Sequence, residues 1–146
     1  MATVFELIIA GDLPGRFVWA DEQCVAFLTI APISAGHTLV VPREPVARFT
    51  DAPADLLTHL TAVTAEIGRA QEAAWPTSRA AVVVAGFEVP HLHLHVLPAW
   101  GEGELTFANA RSDVPPAELD EAGERLRAAL RQAGAPVPAA LTSPVL

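Results

Sequence analysis

Residues 90–98 read PHLHLHVLP, an alternation that places three of the chain's five histidines at positions 91, 93 and 95. Period-two alternation is a strand signature. It predicts that His91, His93 and His95 share one side of an extended segment, with Leu92 and Leu94 on the other. A stretch flanked by Leu, Val and Leu is half-buried, so three imidazoles there need hydrogen-bond partners or a chemical task.

The segments around it specify a sheet with helices. The β-branched and aromatic content of TVFELII (3–9) predicts a strand, and GDLPG (11–15) a turn. RFVWADEQCVAFLTI reads as two short strands around a turn at Asp21–Gln23, with Val25, Phe27 and Thr29 on one face. HTLVVP (37–42) is a further strand ended by Pro42. Short connections of this kind belong to antiparallel sheets.

A long helix follows, with Asp51 as its expected N-cap, Pro53 in its first turn and Asp55 complementing the dipole. Leu56, Leu60, Val63, Ile67 and Ala70 recur at steps of four and three, an apolar stripe for a core; His59 lies opposite it, towards solvent. WPTS (75–78) breaks the helix, and RAAVVVAGFEVPHLHLHVLPAW supplies two more strands. PPAELDEAGERLRAALRQ carries acids early and arginines late, as a second helix should. The sum is α+β: a mostly antiparallel sheet with a long helix packed on it and a C-terminal helix. The expected organisation is a domain over 1–100 that carries the histidine segment, a loop and helix at 101–133 packed on the same domain, and an extended or disordered tail at 134–146.

Composition removes several classes of chemistry. All nine basic residues are arginine, which excludes a Schiff-base lysine and a lysine-bearing P-loop. A single cysteine, Cys24, excludes an intramolecular disulfide and a Cys-rich metal site. The net charge of −8 argues against nucleic acid and anionic membrane as partners. The first residues make a poor signal peptide and no apolar run spans a bilayer, so the expected location is cytoplasmic.

Three chemical readings fit alternating histidines. Two strand neighbours ~6.5–7 Å apart can chelate a metal from one face, but His91 and His95, ~13 Å apart on a regular strand, cannot both reach an ion with bonds of about 2 Å. A third ligand would come from His37 or Glu88. Alternatively, a neutral imidazole can attack phosphorus and leave again, provided its other nitrogen is fixed by a hydrogen bond and donors flank the phosphate oxygens. A purely structural role leaves several buried polar groups to satisfy.

HLHLHVLP resembles the signature of the histidine-triad (HIT) family of nucleotide hydrolases and transferases. FELIIAGDLPGRFVWADEQCVAFLTIAPISAGHTLVVP is similar to that family's N-terminal half, so the likeness covers roughly residues 5–100. It implies hydrolysis of nucleotide phosphoanhydrides or phosphoramidates in which His93 attacks the α-phosphorus and forms a nucleotidyl-histidine. His95 would then contact phosphate oxygens, and His91 and His37 would form a supporting hydrogen-bonded pair. Phe5, Ile8, Phe27 and Ile30 match the family's nucleobase slot. It further implies a nucleotide or nucleotide-conjugate ligand, a homodimer, and chemistry needing neither metal nor other cofactor. A nucleotide-binding regulator and a metal-dependent hydrolase are the alternative readings.

Three departures set this chain apart. Thr29 stands where the family carries an acidic or amide residue for the ribose hydroxyls. Phe87 and Glu88 replace a glutamine and a small hydroxyl residue ahead of the triad, and the preceding turn is short. Glu88, close to the triad, is a candidate for protonating a leaving group or orienting His91 or a water.

Overall fold

The computed structural model describes residues 1–146. Five strands, β1 (Phe17–Ala20), β2 (Cys24–Leu28), β3 (Thr38–Pro42), β4 (Arg79–Val83) and β5 (Leu94–Ala99), form one antiparallel sheet in the order β1-β2-β3-β5-β4. Helices α1 (Val4–Ala10), α2 (Ala54–Ala74) and α3 (Pro116–Gln132) complete an α+β fold. This is the sheet, long helix and C-terminal helix that the sequence predicts.

The sheet has a core on each side because its strands are apolar on both faces. Leu56, Leu60, Val63, Ile67 and Ala70 of α2 are all buried against Val18, Ala26, Val40, Leu94 and Val96, with Leu126 and Leu130 of α3 beside them. Each fully buried Leu or Ile contributes roughly 1.5–3 kcal/mol, so the stripe alone holds α2 to the sheet. The opposite face buries Phe5 of α1 with Phe17, Val25, Phe27, Leu39 and Val41.

Residues 4–10 are a helix, not the strand that their β-branched and aromatic content predicts. Thr3 and Glu6 close a reciprocal capping box, and Gly11 ends the helix in the left-handed region at φ 84°. Caps at both ends, with Phe5 buried, outweigh a weak β propensity. The second helix also starts later than expected. Pro53 occupies its N-cap, while Asp51 closes a short 3-10 turn and accepts from Arg48 at 2.8 Å.

A third correction concerns the histidine segment. β5 begins at Leu94, so His91 and His93 precede the strand; His93 keeps to the side of His95, but His91 turns away from it. Leu92 N–H donates to the Val46 carbonyl at 2.7 Å, tying this irregular stretch to the loop before α2.

The last residues cover the β1 edge of the sheet. Phe17 N–H donates to the Leu141 carbonyl and Ala20 N–H to that of Pro136, so the tail is bonded along β1. Arg127 of α3, 1% exposed, clamps the two together by donating to the Phe17 carbonyl at 2.7 Å and the Pro138 carbonyl at 2.8 Å. Arg127→Ala is expected to cost about 2–4 kcal/mol in urea denaturation, with lower amide protection at Phe17 and Ala20. Unchanged stability would show that the tail is held without the clamp.

Candidate active site

β3 and β5 pair with Leu39 opposite His95 and Thr38 opposite Val96. That register places His37, just ahead of β3, diagonally across from His95. Gln71 of α2 fixes both sides of the junction, donating through Nε2 to the carbonyls of Gly36 and Val96 at 2.9 Å each. Gly36, at φ 86° and packed under the Trp75 ring, turns the chain into His37.

The main chain then dictates the tautomers of His37 and His93, and through His37 that of His95. Ile33 N–H donates to His37 Nδ1 at 3.0 Å, so His37 carries its proton on Nε2 and donates it to His95 Nδ1 at 2.9 Å. His95 must therefore be protonated at Nε2. His93 Nδ1–H donates to the His91 carbonyl at 2.7 Å, which leaves the lone pair of its Nε2 free. Neither the His93 nor the His95 Nε2 has a hydrogen-bond partner within the chain, and neither is a sealed, unsatisfied atom; both rings line a cavity of about 380 Å³. The site thus presents one unprotonated nitrogen and one N–H donor on rings whose centroids lie 4.9 Å apart.

His91 faces elsewhere. Its Nε2–H donates to the Pro42 carbonyl at 2.8 Å, and its Nδ1 accepts from the Thr3 hydroxyl at 2.7 Å. The expected His91–His37 pair is not formed. Pro42 and His37 sit at opposite ends of β3, roughly 17 Å apart along an extended strand, so the register pairs His37 with His95 instead. His91 holds the site through its carbonyl while its ring locks α1 to β3.

Burial sets the charge of the site. It is the main cause that lowers His37 to about 3 and His95 to about 4, with each repelled further by its neighbouring histidine. Burial lowers His93 as well. All three are neutral at pH 7, so the His93 lone pair stays available.

The remaining candidates divide. Thr29, Phe87 and Glu88 line the cavity with His37, His93 and His95. The Thr29 hydroxyl accepts from Ala31 N–H at 3.2 Å. Phe5, Ile8, Phe27 and Ile30 do not line it. Phe5 and Phe27 are consumed by the core, where Phe5 meets the rings of His91 and His93 edge-on at 5.7 and 4.8 Å. Ile8 packs beside them, and Ile30 is 75% exposed. Nor does Glu88 orient His91, both of whose ring nitrogens are engaged elsewhere.

Sequence reasoning missed Phe107, whose ring lies against His95 at 4.9 Å and walls the cavity. It missed Thr3 too, although the Thr3–Glu6 spacing of a capping box was there to be read. His59 is not solvated as expected: its Nε2 bonds Asp21 Oδ2 at 2.7 Å. Asp21 also accepts from Trp19 Nε1 and from the backbone of Gln23 and Cys24. Burial opposes its charge, but these donors outweigh it and hold the carboxyl at about 2.

The family model for the HIT domain matches residues 10–101. The chain belongs to the HIT family. An uncharacterized HIT-like protein of Mycobacterium tuberculosis is 34% identical over 137 residues, covering 90% of this chain and 95% of that protein. Among solved structures, a zinc-bound histidine-triad family protein from Mycobacterium smegmatis superposes with a TM-score of 0.78 at 31% identity, over 92% of this chain and 96% of that one. A hypothetical histidine-triad nucleotide-binding protein from Sulfolobus tokodaii gives 0.77 at 26% identity, over 88% and 91%. The α+β fold of this HIT chain is the fold of those neighbours.

The depressed histidines have a consequence for stability. Because their folded values lie below the ordinary 6.5, the unfolded chain takes up protons that the native state refuses. Stability is therefore full above about pH 6.5 and falls as pH drops towards 4, well above the window of Asp21. The melting temperature should decline over that range, and His37→Asn should flatten the decline. A melting temperature constant from pH 7 to 4 would contradict this account.

Proposed function

We propose that this HIT protein binds a nucleotide conjugate and hydrolyses its phosphoanhydride or phosphoramidate bond through a nucleotidyl-histidine on His93. One observation carries the reading: a cavity-facing Nε2 lone pair on His93, held by the His91 carbonyl, beside the Nε2–H of His95. The family and the description of the S. tokodaii neighbour as nucleotide-binding support the choice of ligand.

In the first step the His93 Nε2 lone pair forms a bond to the α-phosphorus, and the bond to the leaving oxygen or nitrogen breaks. The leaving atom keeps that electron pair and takes a proton from solvent at the cavity mouth. The His95 N–H donates to a non-bridging phosphate oxygen, offsetting charge where it builds. His93 becomes cationic at the moment of attack, and its Nδ1–H bond to a carbonyl strengthens accordingly. Water then attacks the phosphorus from the opposite side, gives up a proton, and returns His93 to its neutral form. Another acceptor in place of water would make the same chain a nucleotidyltransferase.

The zinc of the M. smegmatis protein is not carried over. Asp21, Cys24 and His59 bring ligand-type atoms within 4.8 Å of one another. Yet both Asp21 oxygens accept hydrogen bonds, and burial pushes the Cys24 thiol up, away from the thiolate a metal needs. These residues clasp the β1–β2 hairpin to α2. His91 has no free nitrogen for an ion.

The reading includes a homodimer. β4 is an edge strand with Val82 52% exposed and Val84, just past its end, 39% exposed, whereas the tail covers the β1 edge. Two copies pairing along β4 would continue the sheet and bury those valines. The reading also keeps the protein in the cytoplasm.

Incubation with a nucleoside phosphoramidate or a dinucleoside polyphosphate, followed by rapid acid quench and mass spectrometry, should find the nucleotidyl mass on His93. His93→Ala should abolish it and lower turnover on the order of 10³-fold or more. Protein stripped with chelator should behave as wild type. Nucleotide binding with no adduct from any such substrate would overturn the hydrolase reading. Val82→Glu should shift the mass in solution from dimer to monomer by light scattering, and a monomeric wild type would refute the dimer.

A further inference from the structure

Charge is scarce in the cavity. Its ionisable lining residues are His37, His93, His95 and Glu88, and no arginine lines it. Arg111, next in sequence to the lining residue Ala110, is turned to Glu118 and Asp113 at 3.7 and 3.9 Å. The imidazoles are neutral, with both nitrogens of His37 and the Nδ1 of His93 and His95 already engaged. Glu88 is exposed and joins no ion pair in the chain. Its backbone is set from both sides. Gly86 turns the chain at φ 82°, and Val89 is anchored against the core under α1, so the backbone leads directly from Glu88 to His91 and the catalytic segment.

We infer that Glu88 selects the leaving group by charge, favouring nucleotide conjugates whose leaving group carries a cation and disfavouring those that carry a further anion. The inference rests on the proposed chemistry at His93. One anionic α-phosphate is met by the His95 N–H. A second anionic group in the same cavity finds no cation among the lining residues and shares the cavity with Glu88, its one carboxylic side chain. An ammonium group there gains a partner that no other side chain competes for. A single carboxylate at such range changes relative rates on the order of ten-fold, and less as salt rises. The favoured class is thus a nucleoside monophosphate joined through P–N to an amine that bears a second, protonated amine. The P–N bond breaks, the nucleotidyl group goes to His93, and the diamine leaves after taking a proton from solvent.

The test uses three adenosine 5′-phosphoramidates of nearly one shape: the ethylenediamine, propylamine and β-alanine conjugates, with cationic, neutral and anionic ends. Wild type should show kcat/KM in that order, about ten-fold between successive members at low salt. Glu88→Gln should collapse the order and Glu88→Arg should reverse it; intrinsic reactivity differences cancel when each substrate is compared between proteins. Binding of the same three compounds to the His93→Ala protein should rank the same way and lose its rank with Glu88→Gln. An order that Glu88→Gln leaves unchanged in both rates and binding would overturn the role of Glu88. Ranked binding with no turnover of any of the three by wild type would instead overturn the hydrolase reading while supporting charge selection.

Discussion

The 2.7 Å hydrogen bond from His93 Nδ1 to the carbonyl of His91 is the contact on which the site depends. It commits one nitrogen of the central imidazole to the main chain and leaves the other as a lone pair. The carbonyl is itself held in place because the His91 ring spans Thr3 and Pro42, joining the cap of α1 to the end of β3. On the other side, Ile33 N–H fixes His37, and His37 fixes His95. Two chains of hydrogen bonds thus end in the cavity, one with an acceptor and one with a donor. No side-chain rearrangement is needed to prepare either.

Burial makes the same arrangement work at neutral pH. Desolvation keeps the imidazoles uncharged, which costs acid stability but leaves the His93 lone pair free. A chain with a net charge of −8 and no lysine thus lines its cavity with neutral N–H donors instead of a cationic clamp. Glu88 is the one carboxylate among the residues that line the cavity.

Much of the architecture was legible residue by residue. The steps of four and three in α2, the turn at Asp21–Gln23 and the Pro42 stop at β3 are local signals, and each fixed an element correctly. TVFELII misled because intrinsic β propensity is weak, and a capping box with a terminal glycine overrides it. Alternation in HLHLH was over-read for a related reason. Period two describes side-chain direction only where the ladder continues, and here pairing with β3 extends no further back than Leu94.

By itself the sequence determined which chemistry is available: three imidazoles within five residues, a fourth upstream, one thiol, no lysine and a helix with a single apolar stripe. It could not decide which histidines meet. The antiparallel register of β3 and β5 did that, pairing His37 with His95 and turning His91 to Thr3 and Pro42. Nor could it decide which aromatic residues face the cavity, since Phe5 and Phe27 are drawn into the core while Phe87 and Phe107 are left at its rim. Hydrogen bonds and burial between residues far apart in the chain set those outcomes, and only the packed sheet brings such residues together.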